Sequence, residues 1–242
     1  MPDWTWPVGR ELRGGLGTTL WLTLWSTVAS VAVGVLLGLV FTWKRRLGPL
    51  VRIYIEVWRG IPVLVTLFML FFALPSMGIQ TSAFVSSLVA LALWGSANVA
   101  EITRGAIQSI PRSQTEAAAA LGMPWSQTMV FVVLPQAVRR MTPSVVGTVT
   151  QLIQTTALAS AIGLLELLEA GSRAIERLSG ETGSSPALPI MAVVLIMYFV
   201  ISFPLTHLSR VLEHRLDQPG TQRRERRPAP WRLSRQRANV EV

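Results

Sequence analysis

Long apolar runs alternate along this chain with short, arginine-bearing polar breaks. No Asp, Glu, Lys or Arg occurs between Arg13 and Lys44, Arg59 and Glu101, Arg140 and Glu166, or Glu181 and Arg210. About 20 apolar residues cross the hydrocarbon core of a bilayer, so each run is long enough to span one. The second run holds two spans, with "LPSMGIQTS" (Leu74 to Ser82) supplying a Pro/Gly turn between them. The pattern predicts five transmembrane helices, at about 17–43, 50–74, 83–107, 141–165 and 186–209. An all-α integral membrane fold is expected, because backbone groups in lipid must pair within their own segment. The short alternating segments of an outer-membrane barrel are absent.

Composition agrees with this pattern. Half of the 242 residues are hydrophobic and 14% are charged, well below the roughly 25% of a soluble domain. The first run, "GTTLWLTLWSTVASVAVGVLLGLVFTW", is too long for a signal-peptide core and lacks a small-residue cleavage site, so it is expected to remain as an anchor. There is no cysteine, which excludes disulfides and thiolate chemistry. The two histidines, His207 and His214, have no metal-ligand company in the sequence and read as interfacial or tail residues.

Arginine placement orients the chain. Lys44, Arg45, Arg46, Arg52 and Arg59 follow the first span, and Arg104, Arg112, Arg139 and Arg140 follow the third. Nine arginines lie between Arg210 and Arg237. The 75–83 turn has no positive charge, and the loop after the fourth span sets Arg173 and Arg177 among four glutamates. The N-terminus is therefore expected outside and the C-terminus in the cytoplasm. The formal net charge of +9 fits anionic headgroups at the cytoplasmic ends of the spans better than nucleic acid. Residues 1–215 read as one transmembrane domain, and 216–242 as an arginine-rich, disordered cytoplasmic tail.

One polar break is more than a connection. In "IPRSQTEAAAALGMPWSQTMVFVVLPQA", Ser113 to Glu116 has the S-x-x-E form of a capping box. Strong helix formers follow, Gly122 can adopt the left-handed conformation that ends a helix, and Pro124 stops continuation. A second short helix is expected from about Pro124 to Leu134, ending before Pro135. The product is a helix–turn–helix knob with a thin alanine face, shaped to enter a partner's groove or to pack on its own spans.

The spacing Glu116-Ala117-Ala118, three residues, Gly122, nine residues, Val132-x-Leu134-Pro135 resembles the EAA loop of ABC importer permeases. "YIEVWRGIPVLVTLFMLFFALPSMGI" and "AEITRGAIQSIPRSQTEAAAALG" resemble the polar amino acid (histidine/glutamine-type) subgroup. The resemblance runs from about residue 14 to residue 215. It implies a five-helix permease subunit of a bacterial inner membrane, paired with itself or a sister subunit. Two cytoplasmic ATPase subunits would bind below it, and a solute-binding protein would dock outside. It also implies that Ser113, Glu116, Ala117, Ala118, Gly122, Leu134 and Pro135 form the coupling element between spans three and four. The chain is not expected to be an enzyme. No cofactor is expected in it, ATP and Mg belonging to the partner ATPase, since its sole lysine, Lys44, follows a tryptophan and not a phosphate-loop glycine.

Charged groups beside spans are transport-site candidates. Glu56 and Arg59, and Glu101 and Arg104, are either pathway groups or ion pairs at i,i+3 spacing holding helix ends together. Gly60 and Pro62 loosen the helix beside the first pair. Gln151, Gln154, Thr155 and Thr156 in the fourth span are candidates for hydrogen-bonding a polar solute, with packing between helices the alternative. Family members often carry Lys-Asp-Thr-Ser-Leu where this chain has "QTTAL", and Asn-Ser-Gly-Ala-Tyr where it has "WGSAN". An acid is thus missing at Thr155, which suggests neutral recognition of the solute or charged contacts from a sister permease. The leading reading is a permease for a polar amino acid. The alternatives are the same machinery for an opine or compatible solute, and a non-transporting membrane scaffold.

Overall fold

The computed structural model describes residues 5–43, 46–183 and 185–216, which form helices joined by short turns. These are α1 (Thr5–Trp43), α2 (Gly48–Gly60), α3 (Val63–Ser76), α4 (Ala83–Gln108), α5 (Arg112–Ala120), α6 (Trp125–Ile162), α7 (Leu167–Thr182) and α8 (Ala187–Leu216). Helices α1, α4, α6 and α8 are each long and apolar enough to cross a membrane, and the bent pair α2–α3 makes a fifth candidate. Of the tail expected from residue 216 onward, only Leu216 is described; the rest lies outside the described residues.

The bundle is organised by α1 and α4, which run parallel. Small residues at four-residue spacing on α1 let the two backbones approach closely, as in membrane helix pairs generally. A Cβ on Gly34 would lie 2.6 Å from the Val99 Cβ, and one on Gly38 would lie 2.6 Å from the Thr103 Cβ. One turn earlier, Ser30 fills the space beside Gly95. Around this pair, Leu22, Leu67, Leu91, Leu152 and Ile162 form a core shared by α1, α3, α4 and α6. Large apolar side chains such as Trp21, Trp25, Phe72 and Leu195 remain exposed on the outside, as suits a lipid-facing surface.

Four expectations need correction. The second span is not one helix: α2 and α3 meet at 97°. Ile61, with φ −80° and ψ 128°, takes the extended backbone that a following proline imposes. The fourth span begins at Trp125, so the short helix expected to stop before Pro135 instead continues through it. A wide π turn over Thr128–Val133 displaces the carbonyls that the proline ring would otherwise strike. A similar turn, Met69–Ala73, precedes Pro75. The first helix starts at Thr5, well before residue 17, and buries Val8 and Leu12. They are buried because the segment read as a loop after the fourth span is the amphipathic helix α7. Its Leu167, Ala170, Ala174 and Leu178 pack on them and on Ile190 and Val194 of α8.

Candidate functional site

Helix α5 stands at the end of the bundle where α1 and α4 finish and α6 begins. Trp43 and Trp125 meet there edge-on, with ring centroids 6.0 Å apart. The expected capping box is not formed. The helix begins two residues earlier than that box requires, at Arg112 after Pro111, and no side chain caps it. A proline with its fixed φ just before the first turn presets the start, and Ser113 falls inside the helix. The C-terminus is as the sequence requires. Gly122 has φ +76°, its amide donates to the Ala119 carbonyl at 2.9 Å, and the Met123 amide donates to the Ala118 carbonyl at 3.1 Å. This paired closure puts position 122 in the left-handed region that glycine takes without strain.

Only Ala118 of α5 is buried, against the π turn; Ser113, Glu116 and Ala117 are exposed, and Leu134 and Pro135 start the regular part of α6. Leu121, Trp125 and Phe131 are 82, 58 and 70% exposed. All three lie between the end of α5 and the first turns of α6, on the segment that carries the knob. The base of the knob is closed by Arg140, whose guanidinium donates to the carbonyl and hydroxyl of Ser109.

The charged candidates separate. Arg104 holds Glu101 through two guanidinium nitrogens, donates to Gln108 Oε1 at 2.7 Å, and lies 5.6 Å from the centre of the Phe41 ring. This pair has the expected i,i+3 geometry. Glu56 instead accepts from Arg52 at 2.7 Å, one turn N-terminal to it. Arg59 is exposed at the broken end of α2 and makes no ion pair with Glu56.

Gln151, Gln154 and Thr155 are also separated. Gln154 lines a cavity of about 450 Å³ between α6 and α8, within the size range of small-ligand sites. Gln151 is exposed outside that lining, and the Thr155 hydroxyl donates to the Gln151 carbonyl at 2.7 Å. Ala157, Tyr198, Phe199, Ser202 and Thr206 complete most of the wall, with His207 and Arg210 at the end nearer the knob. The Ser202 hydroxyl is buried with no hydrogen-bond partner.

A polar cluster that sequence reasoning passed over adjoins this cavity. Glu166 is fully buried, caps α7 by accepting from the Leu168 and Glu169 amides at 3.0 and 2.7 Å, and accepts from the Tyr198 hydroxyl at 2.6 Å. The Thr19 hydroxyl accepts from the Leu167 amide at 3.1 Å, beside the carboxyl of Glu166. Burial pushes the Glu166 carboxyl above its ordinary value, while the bonds from Tyr198 and the two amides pull it down. The available signal was a glutamate ending a long charge-free run just before an amphipathic stretch.

Similarity to known proteins agrees with the helical bundle. Residues 30–218 match the family described as binding-protein-dependent transport system inner membrane component. The chain is 33% identical over 223 residues to the glutamine transport system permease protein of Escherichia coli, covering 88% of this chain and 97% of that one. A probable glutamine ABC transporter permease of Bacillus subtilis is 35% identical over 170 residues, covering 70% of this chain and 76% of its own. Among solved structures, an amino acid ABC transporter with histidines superposes with a TM-score of 0.77 at 29% identity, over 86% of this chain and 94% of that one. The MetNI methionine ABC transporter in an inward-facing conformation shares the fold, with a TM-score of 0.67 at 21% identity, over 88% of this chain and 99% of its own. The chain therefore belongs to the inner-membrane permease components of binding-protein-dependent ABC transport systems.

Proposed function

We propose that this permease carries a polar amino acid, that α5 is its cytoplasmic coupling helix, and that the cavity between α6 and α8 is its solute chamber. The observation that carries the coupling role is the exposed knob, closed at Gly122 and bearing Leu121, Trp125 and Phe131. Two ATPase subunits would seat it in grooves and move it when nucleotide closes their dimer. The N-terminus lies outside in this reading, because Arg46, Arg52, Arg59, Arg112, Arg139 and Arg140 gather at the knob end. A solute-binding protein then docks at the opposite end, where α7 lies.

Relatives named for glutamine and other amino acids support the substrate class. The chamber offers a polar solute the hydrogen-bonding groups of Gln154, Ser202 and Thr206, and its charged group among the described lining residues is the Arg210 guanidinium. A second permease subunit would complete the pathway, and a sister chain could add the charged contacts that Thr155 lacks. The test is reconstitution with the ATPase and binding protein in proteoliposomes, followed by uptake of each labelled L-amino acid. ATP-dependent accumulation of a polar amino acid is expected. An assembled, ATP-hydrolysing complex that accumulates no amino acid overturns the reading.

A further inference from the structure

We infer that Glu166 is a positioning residue for the cavity between α6 and α8: it holds the Tyr198 ring as a wall of that cavity by a hydrogen bond from outside it. Tyr198 has two roles in one side chain. Its ring lines the cavity together with Gln154, Phe199 and Ser202, and its hydroxyl leaves the cavity to donate to Glu166 at 2.6 Å. Glu166 does not line the cavity, yet it is fully buried and fixed by two backbone amides of α7. A carboxylate held that rigidly gives the phenol a single direction to point.

The cluster ties three helices together: the Thr19 hydroxyl of α1 accepts from the Leu167 amide of α7, and Tyr198 of α8 donates to Glu166, which caps α7. Thr156 opens the stretch Thr156–Ile162, which is wound as a tighter 3-10 helix and ends at Gly163 with φ +75°. A long α-helix that changes winding beside a cavity is a place where its wall can move. With the Glu166–Tyr198 bond in place, the ring closes the cavity next to that segment. Without it, the phenol loses its carboxyl partner and the wall loosens. Glu166 therefore sets the shape of the cavity without touching what enters it.

A cap alone would explain Glu166 but not its bond to Tyr198, and the two roles separate by length. Glu166→Asp keeps a carboxylate suited to capping α7 but draws it back from Tyr198 by one methylene. Tyr198→Phe keeps the ring and removes only the donor. Because the chain has no cysteine, Ser202→Cys supplies a unique thiol in the cavity wall. The rate at which a methanethiosulfonate reagent labels this thiol, in the assembled complex in detergent, reports how open the cavity is.

Tyr198→Phe and Glu166→Asp are each expected to raise the labelling rate roughly tenfold, the scale of losing a hydrogen bond to a carboxylate. The double variant should be no faster than either single one, since both remove the same tie. Unchanged labelling in both single variants, or independent increases that multiply, would overturn the inference. Should Glu166→Asp fail to assemble, the outcome for Tyr198→Phe decides. Calling the cavity a solute chamber rests on the function proposed above, but the labelling result does not. Uptake by a Gln154→Leu complex tests the chamber itself, so the two failures are distinguishable.

Discussion

Arg140 and Ser109 lie 31 positions apart and meet through one guanidinium nitrogen, Nη1, which donates to the Ser109 carbonyl at 2.7 Å and to its hydroxyl at 3.1 Å. Ser109 is the C-cap of α4 and Arg140 sits about four turns into α6, so the whole knob is a loop closed by this contact. An arginine on the last carbonyls of a helix also complements its dipole.

Arg140→Ala should therefore loosen the base of the knob without disturbing the spans. The contact is exposed, so about 1 kcal/mol of local stability is the expected loss. The complex should assemble and hydrolyse ATP, but uptake per ATP should fall. Uptake and hydrolysis measured together on one proteoliposome preparation check this.

Gly122→Val places a β-branched side chain at φ +76°, at a cost of about 1–2 kcal/mol. Nothing stands within 4 Å of the added Cβ, so the penalty comes from the backbone and not from a clash. Normal membrane levels with reduced ATPase co-purification are expected. Gly122→Asn, which tolerates the left-handed region, should recover most of the loss. Equal behaviour of the two variants would count against the turn being the coupling corner.

Gln154→Leu removes the amide from the cavity wall while nearly preserving volume. Reduced uptake at unchanged assembly is the expected result if the cavity carries solute. Gln151→Leu, on the exposed side of α6 outside the cavity lining, serves as its control.

The buried carboxyl makes a pH prediction. Burial raises Glu166 above the ordinary 4.5, and the like charge of Glu169 adds to the effect; Tyr198 and the amides of Leu168 and Glu169 oppose it. A group whose folded value is raised favours folding in its protonated form. Its contribution is complete below 4.5 and is lost as pH rises through the folded value. The difference in unfolding temperature between the native chain and Glu166→Gln should therefore shift against the native chain as pH rises from about 4.5. A constant difference across that range would show that Glu166 does not titrate in the fold.

Much of this architecture depends on terms that are local in the chain. A run without charge reports its own cost of leaving water, so the span at 83–107 matches α4 almost residue for residue. Gly122 reports its own backbone freedom, and the left-handed closure of α5 follows. Gly60 and Pro62 mark a weak point in the second span for the same reason, although the 97° bend there depends on what α2 and α3 pack against.

Other features depend on partners far away in sequence, and the tertiary structure alone decided them. Pro135 looks like a helix end, yet α6 passes it through a π turn because Met129, Val133, Ala137 and Met141 are packed on Ala106 and Ile107 of α4. Glu56 has arginines at both four residues before and three after, and the bonded one is Arg52. Glu166 reads as one of several loop acids. It becomes a buried hub only because α8 brings the Tyr198 hydroxyl to it and the start of α7 turns the Leu168 and Glu169 amides onto it, and a buried carboxyl is tolerable only where such donors converge.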